Sequence, residues 1–276
     1  MSISRHESTP ESIPDAAQLR RYLDFAAHIA REAGARSANH FRKVDARRKG
    51  DGTLVTIADE EADRFISREI RAAFPDHAVL SEEQTTLYDP NVEFTWVVDP
   101  IDGTTNFARG MSIWGVSIGL LQAGRPLVGV LHMPMLGETY SGAMGLGAAC
   151  NGIALTSASE TEPTDQHLLV QCTRTLQELR LETPLKSRML GSAAYHMTKV
   201  AEGSALAGLE ATPKVWDIAA VAVIMAEAGA LLTLRDGSPG FPLPAEALDY
   251  VDRSMPTLAA ANPAMQAYML GLLRTA

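Results

Sequence analysis

The segment WVVDPIDGTTNF, residues 96–107, joins an apolar run to two aspartates and a turn rich in hydroxyl groups. The apolar run ends at Asp99 and predicts a buried strand. A tight turn after this strand can point the carboxylates of Asp99 and Asp102, with the Ile101 carbonyl, into one pocket. Oxygen ligands of this kind suit Mg²⁺, and a short helix starting at the two threonines would direct free N–H groups at an anion. Asp102 acting only as a helix N-cap explains the same residues equally well.

Other carboxylates also lie at the ends of predicted elements. Glu82 and Glu83 follow the β-type run AVLS, and Asp217 opens the apolar helix of WDIAAVAVIMAEAG. Thr56 and Asp59 fit a capping box for the helix that follows them. Each of these residues has a structural explanation when taken alone, because a carboxylate stabilises a helix N-terminus. Four carboxylate clusters at element ends together indicate a metal site.

Composition and charge restrict the classes of function. The 276 residues include 33 acidic and 24 basic side chains, which gives a net charge of −9. This acidic balance disfavours nucleic acid as a partner, since such binding needs a basic surface. Cys150 and Cys172 fit neither zinc spacing nor a disulfide framework, so we expect reduced thiols in a cytoplasmic protein. Residues 1–14 lack the apolar region of a signal peptide and are expected to be disordered, and no run approaches the roughly 18 apolar residues of a membrane span.

The periodicity of the apolar residues predicts the order of the elements. Helical spacing recurs over about residues 15–41 and 57–74, and β-type runs with tight turns follow. The polar, proline-bearing segment 156–165 is the predicted internal boundary. We therefore expect an N-terminal α+β half, residues 15–155, that carries the metal and phosphate motifs. A C-terminal α/β half, residues 156–276, is expected to complete the active site.

A second catalytic pattern, G-x-S-x-G, occurs at residues 115–119. A nucleophile elbow needs a sharp turn between a strand and a helix, whereas Ser117 lies inside a β-type run. The glycine-rich residues 142–147 open no predicted helix, which disfavours a dinucleotide site. The sequence therefore favours neither a serine hydrolase nor a dinucleotide-binding enzyme.

Four segments, in this order, resemble the motifs of the inositol monophosphatase family. They are LVTIADEEAD (54–63), VLSEE (79–83), WVVDPIDGTTNF (96–107) and VWDIAA (215–220). The resemblance covers essentially residues 15–276. It implies a layered αβαβα sandwich of mixed α+β and α/β type, and a lithium-sensitive phosphomonoesterase that is commonly a homodimer. It also implies two to three Mg²⁺ ions per site, whose activated water hydrolyses a small phosphorylated alcohol or sugar.

The resemblance assigns metal and phosphate ligands residue by residue. The metal ligands are Glu82, Asp99, the Ile101 carbonyl, Asp102 and Asp217. Asp99 is shared between two ions, and Glu82 with water holds a looser third. The phosphate ligands are the backbone N–H groups of Gly103, Thr104 and Thr105. Asp59 and Thr104 orient the attacking water, and Glu82 shares in its activation.

The resemblance also assigns the groups that face the alcohol. Glu210 matches a carboxylate for substrate hydroxyls, Ala193 a backbone contact, and Lys49 a basic residue near the site. Glu210 favours a polyol, so inositol monophosphate ranks first, histidinol phosphate next, and fructose 1,6-bisphosphate or a 3′-phosphonucleotide after it. The segment ATPKVWD departs from the inositol-type pattern, and Lys214 there would favour a substrate with an additional anionic group or a different shape. A regulatory module that binds RNA polymerase or RNA is the non-enzymatic alternative.

Overall fold

The computed structural model describes residues 13–43, 45–50 and 54–274. Its helices are α1 Ala16–Ala38, α2 Ile57–Ala73, α3 Thr104–Ala108, α4 Thr173–Glu178, α5 Ala193–Ala201, α6 Val215–Glu227 and α7 Pro263–Leu273. The disorder expected of residues 1–14 concerns positions that lie outside the described residues, apart from the last two. Within the described ranges, no helix has both the length and the apolar character needed to cross a membrane.

The strands of the described residues form two large sheets and two small ones. They are β1 Arg47–Arg48, β2 Leu54–Val55, β3 Ala78–Ser81, β4 Leu87–Tyr88, β5 Phe94–Asp102, β6 Gly115–Gln122, β7 Arg125–Met133, β8 Glu138–Ala143, β9 Gly147–Cys150, β10 Ile153–Ala154, β11 Leu168–Gln171, β12 Lys186–Arg188, β13 Ala207–Glu210, β14 Leu231–Leu234, β15 Leu248–Asp249 and β16 Thr257–Ala260. The seven-stranded sheet has the order β10-β9-β8-β7-β6-β5-β3, and the five-stranded sheet has the order β12-β11-β13-β16-β14. The small sheets pair β1 with β2 and β4 with β15.

Strand direction in the seven-stranded sheet brings two acidic segments together. This sheet is antiparallel except for β3, which runs parallel to β5. Parallel neighbours end at the same edge of a sheet. Glu82 follows β3, and its N–H donates to the carbonyl of Val98 at 3.2 Å. The carboxylate of Glu82 therefore lies at the same edge as Asp99 of β5.

Helices and sheets alternate in five layers. The outer helices α1 and α2 pack on one face of the seven-stranded sheet, and α5 and α6 lie between the two sheets. The last helix, α7, packs against β13 and β16 of the five-stranded sheet. Val116 and Val130 face the outer helices, whereas Leu121 and Leu131 face α6, as strand alternation requires. This arrangement confirms the predicted αβαβα sandwich.

Helix starts follow from the residues that cap them. Asp15 caps α1 through its side chain. At α2, Thr56 and Asp59 form the predicted capping box, with the Thr56 N–H donating to Asp59 Oδ2 at 2.8 Å. Helix α1 ends at Ala38, somewhat earlier than predicted, because the chain turns there and reaches Arg42 with a φ of +63°. The two long N-terminal helices are otherwise placed as the apolar periodicity predicts.

A line of glycines lets α6 approach the seven-stranded sheet closely. Gly119, Gly129 and Gly142 are cross-strand partners on β6, β7 and β8. A Cβ added to Gly129 would lie 1.9 Å from the Ala220 carbonyl oxygen, and one added to Gly142 would lie 3.1 Å from Ile224 Cα. The helix backbone thus rests directly on the sheet. Since α6 carries an acidic residue in its first turn, this contact fixes where that carboxylate can lie.

Candidate active site

Three aspartates from two elements, two of them buried and Asp217 half-buried, form an acidic cluster. Asp99 and Asp102 belong to β5, and Asp217 lies in the first turn of α6. Their carboxylate oxygens lie within 4.8 Å of one another. The Ile101 N–H donates to Asp99 Oδ1 at 2.9 Å and orients that side chain. The structure therefore brings together three of the predicted metal ligands.

An irregularity in β5 puts two of these aspartates on the same side of the sheet. Asp99 pairs with Ser117 and Asp102 pairs with Gly115, so the register with β6 shifts between them. Residues three apart in a regular strand face opposite sides, and a bulge of one residue reverses this relation. The strand that was predicted to end at Asp99 thus continues, and its irregular end aims both carboxylates at one cavity. Ser117 itself is fully buried inside β6, which excludes a nucleophile elbow there.

The mutual repulsion of the carboxylates in the cluster favours the binding of a cation. Burial raises the pKa of Asp99 well above its usual value, and repulsion from Glu82, Asp102 and Asp217 adds to the effect. Burial likewise raises the pKa of Asp217, with further repulsion from Asp102. Carboxylates this close cannot all ionise without a compensating positive charge. The oxygen-only donor set fits a hard divalent cation such as Mg²⁺.

Asp102 is held by the N-terminus of α5. Its carboxylate accepts the N–H groups of Ala193 at 3.0 Å and Ala194 at 3.1 Å, and also the Ser192 hydroxyl. Burial raises the pKa of Asp102, whereas these donors lower it. The resemblance assigns Ala193 a backbone contact to the alcohol part of the substrate, and in this structure its N–H donates to Asp102.

Glu82 lies beside the cluster and is paired with a lysine. Lys49 Nζ lies 2.8 Å from Glu82 Oε1 and also contacts Glu83 Oε1. Burial lowers the pKa of Lys49, but attraction to Glu82 and Glu83 outweighs it and raises the pKa overall. Burial raises the pKa of Glu82 despite the attraction of Lys49. Lys49 is thus at the site, where it neutralises one of the predicted metal ligands.

Asp59 and Thr104 meet as the resemblance implies. Thr104 Oγ1 lies 3.2 Å from Asp59 Oδ1 and 3.0 Å from the Ile101 carbonyl oxygen. Burial raises the pKa of Asp59 to about 6, and hydrogen bonds donated by Thr56 oppose this shift. The capping box of α2 therefore fixes the orientation of a carboxylate that also contacts the turn after β5. Asp59 can therefore belong to the capping box of α2 and still take the role that the resemblance implies for it.

Two adjoining cavities open onto the acidic cluster. The larger, about 870 Å³, contains Glu82, Asp99, Asp102 and Asp217 on its wall with the turn Gly103–Thr105. The second, about 600 Å³, is lined in part by Glu210, and it shares Thr105, Gly191, Thr212 and Asp217 with the first. The arrangement separates a charged compartment from one that can receive the rest of a small molecule.

Lys214 is the N-cap residue of α6, and its ammonium is held by a backbone carbonyl. Its backbone N–H donates to Asp217 Oδ2 at 2.6 Å, and its Nζ donates to the Val251 carbonyl at 2.7 Å. Lys214 also borders the larger cavity. The hydrogen bond from the Lys214 N–H orients Asp217, a predicted metal ligand.

Sequence reasoning missed two buried residues that hold the site in place. Asp63 accepts the Glu83 N–H at 3.0 Å and the Ser67 hydroxyl at 3.0 Å, which fixes the turn after β3. Asn106 Nδ2 donates to the carbonyls of Ile113 and Leu190. The position of Asp63 four residues after Asp59, on the same helix face, was a usable signal. The partners of Asn106 are too far away in the sequence to leave a local pattern.

The comparisons with known proteins agree with this geometry. The model of the inositol monophosphatase family matches residues 18–270. An inositol-1-monophosphatase of Synechocystis sp. is 36% identical over 245 residues, which cover 84% of this chain and 85% of that protein. The Nus factor SuhB of Pasteurella multocida is 31% identical over 232 residues, covering 79% and 87%. The solved structure of an IMPase from Thermotoga maritima has a TM-score of 0.80 at 27% identity, covering 92% of this chain and 97% of that one.

The chain belongs to the inositol monophosphatase family. The protein is therefore a phosphatase, in the class of phosphoric monoester hydrolases, and the resemblance read from its motifs is confirmed. The cluster of Asp99, Asp102 and Asp217 has the donor atoms and the spacing to hold a metal ion.

Proposed function

We propose that this protein hydrolyses a phosphate monoester of a small polyol, with inositol monophosphate as the first candidate and Mg²⁺ as its cofactor. The observation that supports this most is the cluster of Asp99, Asp102 and Asp217. One carboxylate oxygen from each residue lies within 4.8 Å of the other two, at the wall of the larger cavity. Three carboxylates in this arrangement, two of them buried, repel one another, so a bound cation would stabilise them.

The metal ligands we propose are those that the motifs indicate. They are Glu82, Asp99, the Ile101 carbonyl, Asp102 and Asp217, for two to three ions per site. Bound Mg²⁺ would supply a water of lowered pKa and would neutralise charge on the leaving oxygen. We propose that a metal ion at Glu82 displaces the Lys49 ammonium, which contacts Oε1 of that residue. We propose that Lys49 then remains near the site as a cation paired with Glu83.

The turn after β5 is the proposed phosphate site. Gly103 has a φ of +94°, which favours glycine, and an added Cβ would lie 3.1 Å from two backbone carbonyls. The backbone N–H groups of Gly103, Thr104 and Thr105 belong to the start of a helix, where N–H groups have no partner within the helix. Donation of the Thr104 hydroxyl to Asp59 leaves an Oγ1 lone pair for a hydrogen bond from the attacking water. Asp59, with a pKa of about 6, would be ionised at neutral pH and maintain this orientation.

The second cavity is the proposed alcohol site. Glu210 lies on its wall and would accept hydrogen bonds from substrate hydroxyls, which favours a polyol. Ala193 borders the same cavity, and we propose a backbone contact there once its N–H is shared with Asp102. Histidinol phosphate, fructose 1,6-bisphosphate and 3′-phosphonucleotides remain the alternative substrates. The Lys214 ammonium would have to leave the Val251 carbonyl to contact a second anionic group.

A regulatory function is the second candidate. The name of the Pasteurella multocida relative, a Nus factor, favours it. The net charge of −9 opposes direct binding to RNA, which depends on basic residues. A variant without catalytic activity, Asp99→Asn, that still rescued a deletion phenotype would support regulation over catalysis.

Phosphate release from a panel of esters tests the enzymatic proposal. The panel contains inositol 1-phosphate, histidinol phosphate, fructose 1,6-bisphosphate and 3′-phosphoadenosine 5′-phosphate, each with and without Mg²⁺. We expect Mg²⁺-dependent release that is highest with inositol 1-phosphate and absent in Asp99→Asn. Highest release from another ester of the panel would identify that ester as the preferred substrate. Release that persists without any divalent cation would contradict the metal site.

Two further properties are proposed on the resemblance, and a third on the cysteines. Lithium should inhibit turnover, which inhibition curves test. The chain should form a homodimer, which analytical ultracentrifugation tests. A cytoplasmic location accords with Cys150 and Cys172 both being free thiols in the structure. Fractionation of cells expressing the tagged chain tests the location.

A further inference from the structure

A buried histidine holds the carboxylate that we expect to meet substrate hydroxyls. Glu210 lies at the end of β13, His196 lies on α5, and His196 Nδ1 is hydrogen-bonded to Glu210 Oε1. The side chains of His196 and Glu210 are only 1% and 6% exposed. Both residues border the second cavity. The motifs assign a role to Glu210 and none to His196.

A backbone donor determines which nitrogen of His196 carries the proton. The Leu190 N–H donates to Nε2 at 2.8 Å, so Nε2 is an acceptor and carries no hydrogen. The proton of the neutral ring is therefore on Nδ1, which donates to Glu210. Burial lowers the pKa of His196 to about 4, which keeps the ring neutral at physiological pH.

This donated hydrogen bond matters because Glu210 is in an unfavourable place for a charge. Burial raises the pKa of Glu210 to about 8, while the Cys172 thiol opposes the shift and Asp102 reinforces it. A hydrogen bond donated to the ionised form stabilises that form. It also fixes one carboxylate oxygen and so limits the directions in which the other can accept a hydroxyl.

The same histidine also touches the segment that precedes α5. The Leu190 N–H is bound by His196, and the Leu190 carbonyl accepts Asn106 Nδ2 at 2.7 Å. Two residues later, the Ser192 hydroxyl donates to Asp102. Loss of the whole imidazole would therefore disturb both Glu210 and the segment next to the metal site. The two nitrogens must be tested separately.

We propose that His196 is a positioning residue for polyol recognition, which orients the Glu210 carboxylate toward the hydroxyl groups of the substrate through Nδ1. This inference rests on the proposed function and deepens it. The preference for a polyol ester then depends on Nδ1 of His196, although the substrate need not contact this side chain.

Two substitutions separate the contacts of His196. In His196→Asn the amide N–H can replace Nδ1 toward Glu210, while the acceptor for Leu190 is lost. In His196→Gln the amide can replace Nε2 toward Leu190, while the donor to Glu210 is lost. Each variant is assayed with inositol 1-phosphate and with 4-nitrophenyl phosphate, an ester whose alcohol part has no further hydroxyl. The readout is the ratio of kcat/KM for the two esters, resolved into KM and kcat.

We expect His196→Gln to lower this ratio about tenfold, mainly through KM for inositol 1-phosphate, as loss of one orienting hydrogen bond predicts. His196→Asn should lower it less than about threefold. Adding His196→Gln to Glu210→Gln should lower the ratio no further, since both act on one contact. An equal loss in the two single variants, or an unchanged ratio in His196→Gln, would overturn the inference.

A measurement without turnover separates this inference from the proposed function. Nitrogen-15 NMR of the imidazoles in the intact protein should show His196 protonated at Nδ1, with a resonance that shifts in Glu210→Gln. A proton on Nε2 would overturn the inference whatever the enzyme hydrolyses. Release of phosphate from 4-nitrophenyl phosphate but from no polyol ester would also overturn it and would leave the phosphatase activity standing. Absence of release from every ester would refute the proposed function alone.

Discussion

Asp99 and Asp102 are three residues apart, a spacing that places side chains on opposite faces of a regular strand. They share one cavity because β5 shifts its register against β6 between them. Asp217 then completes the cluster from the first turn of α6. Buried carboxylates that repel one another destabilise a fold unless a cation compensates them. Function, rather than stability, therefore explains why these three aspartates lie together.

Removal of one charge from the cluster should separate activity from stability. We expect Asp217→Asn to lower Mg²⁺-dependent turnover by roughly a thousandfold, since a lost ligand removes several kcal/mol of transition-state stabilisation. The fold should persist, because an asparagine oxygen can still accept the Lys214 N–H. Turnover and circular dichroism are measured beside the exposed control Asp76→Asn. Turnover retained within a few-fold of the wild type would remove Asp217 from the metal site.

At the level of elements, α6 and the sheet beneath it determine where Asp217 lies. The helix rests on Gly119, Gly129 and Gly142, whose missing side chains allow its backbone to approach β6, β7 and β8. The long helices α1, α2 and α6 were predictable from apolar spacing and caps, and so was the position of Asp217 at a helix start. Strands β13 and β16 were not predicted, because AGLE and TLAA are short and poor in β-branched residues. Their strand conformation comes from pairing with each other and with their neighbours.

Gly129→Ala tests whether this close packing positions the site. The new Cβ would lie 1.9 Å from the Ala220 carbonyl oxygen, so α6 must move. We expect a loss of about 1–3 kcal/mol in the free energy of unfolding, as overpacking predicts, together with weaker Mg²⁺ activation. Gly142→Ala is the matched control, because its Cβ would meet Ile224 Cα only at 3.1 Å. Equal effects in the two variants would argue against a specific contact at Gly129.

In the whole molecule, the site is assembled from segments that are far apart in the chain. Asp102 is held by residues 192–194, Asn106 by the carbonyl of Leu190, and Glu82 by Lys49. The sequence indicated most residues of the candidate site, because each lies in a motif at the end of an element. It did not indicate these partners, since contacts across the fold leave no local periodicity. The tautomer of His196 likewise depends on a backbone group that only the fold supplies.

Stability of the metal-free protein should depend on pH in an unusual direction. Burial raises the pKa of Asp99 and Asp217 well above normal, and that of Asp59 to about 6. The folded state then binds more protons than the unfolded state between about pH 4 and the raised values, so stability falls as pH rises through this window. With a chelator present, we expect the Tm of the wild type to fall more steeply than that of Asp99→Asn between pH 5 and 7. Added Mg²⁺ should raise the wild-type Tm more at pH 7 than at pH 5.

Parallel Tm slopes for the two proteins would contradict this account of the cluster. An Asp99→Asn protein that Mg²⁺ stabilises as strongly as the wild type would also contradict it. The comparison between the two proteins isolates the effect of Asp99, because every other residue is the same in both.

The central claim is that the acidic cluster binds the catalytic cation, and anomalous diffraction tests it most directly. Mn²⁺ replaces Mg²⁺ in oxygen-ligand sites and scatters anomalously. A crystal of the protein soaked with Mn²⁺ should show a strong peak between the carboxylates of Asp99, Asp102 and Asp217, with a second peak beside Glu82. The same soak of Asp99→Asn should lose both peaks. An enzyme with cation-dependent turnover and no peak among these three aspartates would contradict the claim.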